Sequence, residues 1–281
     1  MKIDYLALDE QVNDYIEVLK NDEIDTIALD IEGEYNLHQY GEKLCLIQVF
    51  DGLRNIILDP FKVSDETVSS FFRLPGITKI MYDSSGDQRL ILKQYGVRID
   101  SIIDLRPAAE VLDLPRKDLA SVIELYLGVQ KKRNYQRYNW TRRPVEPGAL
   151  EYAMNDVLYL FTLRDKMLAE IERANLMEEY LRLNNDVNTR TINLDRQPGF
   201  FRKPAFIKLK NDQRDRVKKI FYIRERYAEK YNVPPNFIFS NDTIIRVGTG
   251  NLHFDEVRLY RSLRPGDRGK LSAEITSVVN Q

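Results

Sequence analysis

The stretch from Thr26 to Glu34 constrains this chain more than any other. Its apolar side chains alternate with small or acidic ones, and this period of two is typical of a β-strand. Residues two apart in a strand share a face, so Asp30 and Glu32 should point the same way at the strand end. Two neighbouring carboxylates repel each other unless a cation lies between them, and a divalent cation with oxygen ligands would fit. The alternative is an acidic strand end that frays into solvent at Gly33.

The composition indicates a soluble globular protein of one or two domains. Of the 281 residues, 43% are hydrophobic and 30% are charged, which supports a core and argues against disorder. The single cysteine, Cys45, excludes a disulfide framework and a cysteine-rich zinc site, and two histidines argue against a histidine-based site. No apolar run reaches the roughly 18 residues that span a bilayer, and no signal-peptide pattern opens the chain. We therefore expect a cytoplasmic protein with no membrane partner.

The charge is divided unevenly along the chain. Residues 195–281 carry 18 basic and 10 acidic side chains, whereas residues 1–194 carry 24 and 33. A polar stretch with prolines and a glycine, residues 184–206, is typical of a linker. We therefore predict two domains, residues 1–195 and 207–281, the second of which could meet a polyanion.

The C-terminal domain is predicted to be small and all-helical. Residues 212–231 carry apolar side chains at helical spacing. Arg214, Lys218 and Arg226 are separated by four and eight residues and should lie near one face of that helix. A basic helix face could hold a nucleic acid, and the alternative is an ordinary solvated face.

The N-terminal domain is predicted to be a mixed α/β sheet flanked by helices. Predicted strands cover residues 26–32, 44–50, 55–58, 78–82 and 101–104. Short turns join the first three strands, which favours an antiparallel meander. One long helix is predicted over 149–174, so that Tyr152 and Asp156, four residues apart, share a face. The alternative is a buried tyrosine with a chance polar neighbour.

Four carboxylates stand where a strand end or a helix face could aim at one point. They are Asp30, Glu32, Asp87 and Asp156. Asp87 falls in the first turn of a helix capped by Ser84 or Ser85, where the helix dipole alone would favour an acidic residue. Taken together, four carboxylates without histidine or cysteine suit two Mg²⁺ or Mn²⁺ ions. Such pairs of ions clamp the attacking and leaving oxygens of a phosphodiester.

A basic and aromatic segment, residues 131–143, follows the predicted helix that ends at Gly128. Its cationic and aromatic side chains include Lys132, Arg137, Arg143, Tyr138 and Trp140. Cations can lie on a phosphate backbone while aromatic rings stack on bases. The alternative is a solvated loop anchored by the only tryptophan of the chain.

These motifs, in this order, resemble the DEDD family of 3'–5' exonucleases, in its ribonuclease D-like branch. Leu29-Asp30-Ile31-Glu32 resembles the family's Asp-x-Glu motif on the first strand. Tyr82 to Asp87 occupies the position of the second motif, although many relatives have histidine at Tyr82. Tyr152-x-x-x-Asp156 matches the third motif in its tyrosine form.

The segments between these motifs extend the resemblance. Residues 37–48 are similar to the family's second strand and the loop before it. Residues 136–144 resemble the family's Gln-Arg-x-Asp-Trp-x-x-Arg-Pro run, with Asn139 in place of Asp. Residues 212–247 resemble the first half of an HRDC domain, a small helical nucleic-acid-binding module.

The resemblance implies a ribonuclease H-like fold and removal of 3'-terminal nucleotides from RNA, as in 3' processing of tRNA or other stable RNAs. Two divalent metal ions, Mg²⁺ or Mn²⁺, would be bound by Asp30, Glu32, Asp87 and Asp156. Tyr152 would orient the attacking water, because a phenol with a pKa of about 10 is a poor base alone. The residues expected to bind the substrate are His38, Lys132, Arg137, Tyr138, Trp140 and Arg143. We expect a monomer whose partner is RNA with a free 3' end.

Two other functions stay open at this point. The same site could hydrolyse DNA in repair, since the scissile phosphate is common to both polymers and discrimination depends on contacts to the 2'-OH. A catalytically inactive nucleic-acid-binding module on the same fold is the second alternative. The intact set of four carboxylates and Tyr152 argues against it.

Overall fold

The computed structural model forms two compact units. The described residues are 1–130, 135–195 and 197–280. The N-terminal unit comprises Met1–Gly33 and Lys43–Leu194, and the C-terminal unit comprises Glu34–Glu42 and Asp195–Gln281. The sequence did not predict that Glu34–Glu42 would group with the C-terminal unit. No helix in the described part of the chain is both long and apolar enough to cross a bilayer.

A six-stranded sheet lies at the centre of the N-terminal unit. Its strands are β1 (Asp4–Leu6), β2 (Thr26–Tyr35), β3 (Glu42–Phe50), β4 (Asn55–Leu58), β5 (Thr78–Met81) and β6 (Ile102–Asp104). Their order is β1-β4-β3-β2-β5-β6. β1 is parallel to β4, β5 is parallel to both β2 and β6, and β3 is antiparallel to β4. The mixed α/β sheet is therefore confirmed, whereas the edge strand β1 was not predicted.

Helices cover both faces of this sheet. They are α1 (Asp9–Asn21), α2 (Asp65–Phe72), α3 (Ser85–Tyr95), α4 (Leu105–Val111), α5 (Leu119–Leu127), α6 (Pro147–Met154), α7 (Leu160–Arg173) and α8 (Met177–Thr189). Buried side chains of α1, α2 and α3 share one core with Ile27, Leu29 and Ile31 of β2. Those of α4 to α7 share the other core with Ala28. Because strand side chains alternate, Asp30 and Glu32 belong to the face of Ala28.

The single helix predicted over 149–174 is wrong, since the chain forms α6 and α7 with a turn between them. The amide of Asp156 donates to the Ala153 carbonyl at 3.1 Å and that of Val157 donates to the Met154 carbonyl at 3.1 Å. These bonds reach back three residues rather than four, so the helix tightens and stops. Asp156 therefore lies in a turn and not on a continuous helix face.

The linker predicted over 184–206 is wrong in its first residues, because α8 continues to Thr189. Its polar side chains have partners that are distant in sequence. Asn184 Oδ1 accepts from the Asp104 amide at 2.8 Å, and Asn188 Oδ1 accepts from the Ile102 amide at 2.9 Å. Both asparagines also donate to the Ile102 carbonyl. Amide side chains of α8 thus satisfy the backbone of the edge strand β6.

The C-terminal unit is helical, as predicted. Its helices are α9 (Pro204–Ile207), α10 (Asn211–Tyr231), α11 (Pro235–Ile238), α12 (Asn241–Gly248) and α13 (Pro265–Val279), with 3-10 turns at Gly199–Arg202 and Phe254–Glu256. The apolar stripe of α10 is buried in the core of this unit. Gly248 permits α12 to approach α10 closely, since a Cβ there would lie 2.4 Å from Val217 Cγ2.

Candidate active site

Three of the four predicted carboxylates converge in the N-terminal unit. Oxygen atoms of Asp30, Glu32 and Asp156 lie within 4.8 Å of one another, and all three residues are half-buried. Asp30 and Glu32 come from β2, where strand alternation places them on one face, and Asp156 comes from the turn after α6. A set of carboxylate oxygens without sulfur or imidazole fits a hard divalent cation such as Mg²⁺ or Mn²⁺.

The fourth carboxylate, Asp87, lies beside Asp30 in the first turn of α3. Burial and then the negative charge of Asp30 raise the pKa of Asp87 well above its ordinary value, and Asp104 and Asp83 add to the effect. Among the described residues, Asp87 is not part of the close group of three. A divalent cation would offset this repulsion and favour the ionised carboxylate. The electrostatics therefore fit the predicted metal-binding role.

The position of Asp87 depends on Asp104, which sequence reasoning missed. Asp104 ends β6 and is 1% exposed. Its carboxylate accepts from the amides of Asp83 and Ser84 and from the Ser84 hydroxyl, each at 2.8 Å. Ser84 stands at the predicted cap of α3, but its hydroxyl donates to Asp104 and does not cap the helix. Asp104 thereby fixes the turn from which α3 begins. An acidic residue at the end of a short predicted strand was the one signal in the sequence.

Tyr152 projects from α6 into a group of aromatic side chains. Its ring stacks on Trp140, with centroids 6.5 Å apart and an interplanar angle of 29°, and its centroid lies 5.8 Å from that of Tyr135. Gly148 allows Tyr135 to pack closely, because a Cβ there would lie 2.5 Å from the Tyr135 hydroxyl. The half-buried Tyr152 is therefore supported on more than one side.

Trp140 was predicted to bind the substrate, and its position argues against that role. It is 4% exposed and belongs to the same core as α4 to α7. A buried indole has no free face on which a base could stack. We therefore correct the prediction: Trp140 supports the ring of Tyr152. Tyr138 packs against Trp140 at 4.9 Å, and its hydroxyl accepts from the Glu146 amide at 3.1 Å. Tyr138 is half-buried, and its predicted contact with substrate stays a prediction.

Arg143 was also predicted to bind the substrate, but its guanidinium is engaged within the unit. Nε and Nη2 donate to the two carboxylate oxygens of Asp59 at 2.6 and 2.7 Å, and Nη2 also donates to the Cys45 carbonyl at 2.6 Å. Tyr5 donates to Asp59 at 2.7 Å. Although burial opposes it, the hydrogen bonds from Arg143 and Tyr5 lower the pKa of Asp59. We therefore correct the prediction: Arg143 anchors the segment of Trp140 to the middle of β3 and to the residue that follows β4.

The remaining predicted substrate contacts stay predictions. Arg137 is exposed in the segment before Trp140. Lys132 lies outside the described residues. His38 lies in Glu34–Glu42 of the C-terminal unit, where its amide donates to Glu34 Oε1 at 3.0 Å.

Comparisons with known proteins agree with this geometry. A family model described as 3'-5' exonuclease matches residues 5–172. The chain is 33% identical over 150 residues to ribonuclease D of Escherichia coli K12, a match that covers 53% of this chain. The same match covers 40% of that relative, so the chain spans less than half of the relative's length.

Two solved structures illustrate the shared fold. The catalytic core of RRP6 from Trypanosoma brucei superposes with a TM-score of 0.79 at 20% identity, covering 99% of this chain and 80% of that one. Ribonuclease D of Escherichia coli, described as an exoribonuclease involved in structured RNA processing, has a TM-score of 0.72 at 24% identity. That comparison covers 100% of this chain and 76% of the other. At these identities the likeness lies in the fold.

Proposed function

This chain belongs to the 3'-5' exonuclease family, and from that premise we propose that it hydrolyses RNA from the 3' end. The observation that carries the proposal is the convergence of Asp30, Glu32 and Asp156 within 4.8 Å. The family match covers the strand and the turn that supply these three carboxylates. The same convergence argues against an inactive binding module, since clustered carboxylates destabilise a fold that gains nothing from them.

We propose that Asp30, Glu32, Asp87 and Asp156 hold two divalent ions. When bound, such ions polarise the scissile phosphodiester and stabilise the charge that develops on its oxygens. Burial, and then the negative charge of Asp30, raises the pKa of Asp87, and the second of these causes places the two carboxylates close enough to act on one pair of metal ions. Asp104 would keep Asp87 in place through the turn that begins α3.

The hydroxyl of Tyr152 would hydrogen-bond the attacking water and orient it. Its stacking on Trp140 restricts the ring, and a restricted ring holds its hydroxyl in one place. A phenol with an ordinary pKa of about 10 is a weak base at neutral pH, so the role is to position the water. The bonds of Arg143 to Asp59 would act indirectly, because they anchor the segment that carries Trp140.

The finer statements rest on the same proposal. We propose residues 207–281 as an HRDC-like module that binds nucleic acid. Processing of tRNA or other stable RNAs, a monomeric state and a cytoplasmic location stay predictions. DNA hydrolysis stays the alternative, because contacts to the 2'-OH decide between the polymers.

A time course on RNA and DNA oligonucleotides of one sequence tests the proposal. Each polymer is labelled at the 3' end or the 5' end and incubated with Mg²⁺ or with EDTA. We expect immediate release of the 3' label as mononucleotide, stepwise shortening of 5'-labelled RNA and no reaction in EDTA or with Asp30→Asn. Faster shortening of DNA would select the alternative polymer. Release of the 5' label first, or activity in EDTA, would contradict the mechanism.

A further inference from the structure

Two of the three cations predicted on the basic face of α10 have partners within the unit. Arg226 forms an ion pair with Glu274, and the half-buried Arg214 donates to the Ile207 carbonyl. Other basic side chains of the C-terminal unit are also paired. These pairs are Arg216–Asp212, Arg224–Glu225, Lys230–Asp267 and Arg246–Asp242. Most of the positive charge on α10 is therefore compensated within the unit.

Three exposed arginines lie together in the segment that precedes α13. Arg258, Arg261 and Arg264 follow one another at intervals of three residues. Among the described residues, none of the three has a carboxylate within ion-pairing distance. Their guanidinium charges thus remain available to phosphate oxygens, which arginine can bind through two parallel hydrogen bonds.

An aromatic pair, the exposed Phe237 and the half-buried Tyr260, accompanies these arginines. Phe237 at α11 is 54% exposed, and its ring centroid lies 6.2 Å from that of Tyr260, which falls between Arg258 and Arg261. Phe237 thus presents an exposed ring next to Tyr260, which belongs to the segment that carries the three arginines. Aromatic faces flanked by positive charge are what single-stranded nucleic acids stack on.

The segment is held in shape before any ligand arrives. Arg268 donates to the carbonyls of Leu263 at 3.0 Å, Tyr260 at 3.2 Å and Arg261 at 2.6 Å. The Tyr260 amide donates to the Ile238 carbonyl at 3.2 Å, which ties the segment to α11. Leu263 is buried, at 3% exposed. A backbone fixed in this way loses little conformational freedom on binding.

We propose that Phe237, Tyr260, Arg258, Arg261 and Arg264 form a binding site for single-stranded nucleic acid. The site is called the arginine–aromatic patch below. Phe237 and Tyr260 would stack on bases, and the three arginines would contact the backbone phosphates. The choice of RNA as the ligand rests on the proposed function. Binding is nevertheless measured without hydrolysis, so the two can fail separately.

The test is binding of a fluorescein-labelled single-stranded RNA to the full chain in EDTA, followed by fluorescence anisotropy at several salt concentrations. Phe237→Ala should weaken binding by about 5- to 150-fold with little change in salt dependence, because it removes stacking on one base. The double variant Arg258→Ala/Arg261→Ala should flatten the slope of log K against log salt by about 1.4, at about 0.7 for each phosphate contact. Phe237→Leu keeps an apolar side chain but has no aromatic ring, so it should still lose the affinity that base stacking contributes.

Matched controls come from the same unit. Tyr222→Ala removes an aromatic side chain that is 55% exposed on α10, and Arg246→Ala removes an exposed arginine that is paired with Asp242. Both should bind the RNA as the wild type does. Circular dichroism melting of every variant identifies any that fail to fold. If Phe237→Ala is unfolded, Phe237→Leu is used in its place to test stacking.

Three outcomes would overturn the inference. The first is wild-type affinity and salt slope in the patch variants. The second is an equal loss in the controls. The third is loss of affinity in the arginine variants alone, with polyglutamate or anionic vesicles competing as well as RNA, since that would be a general anion surface. If the patch variants lose RNA binding while the wild type hydrolyses no RNA, the patch stands and the proposed function falls.

Discussion

Replacing Lys79 by methionine should stabilise the N-terminal unit at neutral pH. Lys79 lies in β5 and is 0% exposed, and its ammonium donates to the Leu74 carbonyl at 3.0 Å. Burial lowers its pKa from 10.5 to about 8, and the negative charge of Asp100 opposes the shift. At pH 7 the group is therefore charged inside the protein, where the charge is poorly solvated.

The size of the effect follows from the pKa shift. Lowering the pKa of Lys79 from 10.5 to about 8 corresponds to about 3 kcal/mol of destabilisation by the buried charge. Methionine removes that destabilisation and also loses a charge-assisted hydrogen bond worth about 1.5–3 kcal/mol, so the net gain at pH 7 should be up to about 1.5 kcal/mol. Between about pH 8 and 10.5 the unfolded chain binds more protons than the folded chain. The stability contributed by Lys79 therefore rises with pH, and the advantage of methionine should shrink by about 1 kcal/mol between pH 7 and 9.

Urea unfolding at pH 7, 8 and 9 measures this difference. Trp140 is the only tryptophan of the chain and is buried in the N-terminal unit, so its fluorescence reports on that unit. Groups that titrate in both proteins cancel when wild type and Lys79→Met are compared at each pH. The exposed Lys62→Met is the control and should change stability little. A variant less stable than wild type at pH 7, or a difference that is constant with pH, would refute the reasoning.

Four further variants test the site. Asp30→Asn should abolish hydrolysis in Mg²⁺ and leave the metal-free melting temperature unchanged or higher, since one repelling charge is gone; normal turnover would reject the assignment. Tyr152→Phe should lower turnover by about 10²–10⁴ with RNA affinity kept, and an intact rate would leave Tyr152 a core residue. Asp104→Asn should weaken Mn²⁺ binding about 10-fold or more by calorimetry, which unchanged affinity would contradict. Arg143→Lys loses the two-point contact with Asp59 and should destabilise the N-terminal unit by about 1–3 kcal/mol in urea, so a neutral result would deny it the anchoring role.

Local patterns in the sequence were sufficient for the family and for much of the fold. The alternation of apolar and polar residues in β2 and the apolar stripe of α10 both follow from burial of one face of the element. Each pattern is visible within a few residues of sequence. The predicted family and the mixed α/β sheet are confirmed. Asp30, Glu32 and Asp156 could be named in advance because each stands in a short motif. Their convergence needed the sheet order that brings β2 into the middle.

Contacts between residues distant in sequence decided the rest. The polar segment of α8 resembles a linker until Asn184 and Asn188 are seen to satisfy β6. Trp140 could have met a base, and only the core around it shows that the indole is buried. Some arginines of the C-terminal unit form ion pairs with carboxylates and others do not, and this difference depends on the tertiary structure and not on composition. The periodic pattern of apolar residues is local in the sequence, whereas the hydrogen-bond partner of a polar side chain is set by the tertiary structure. Burial removes water, so each polar group must find its donor or acceptor within the fold.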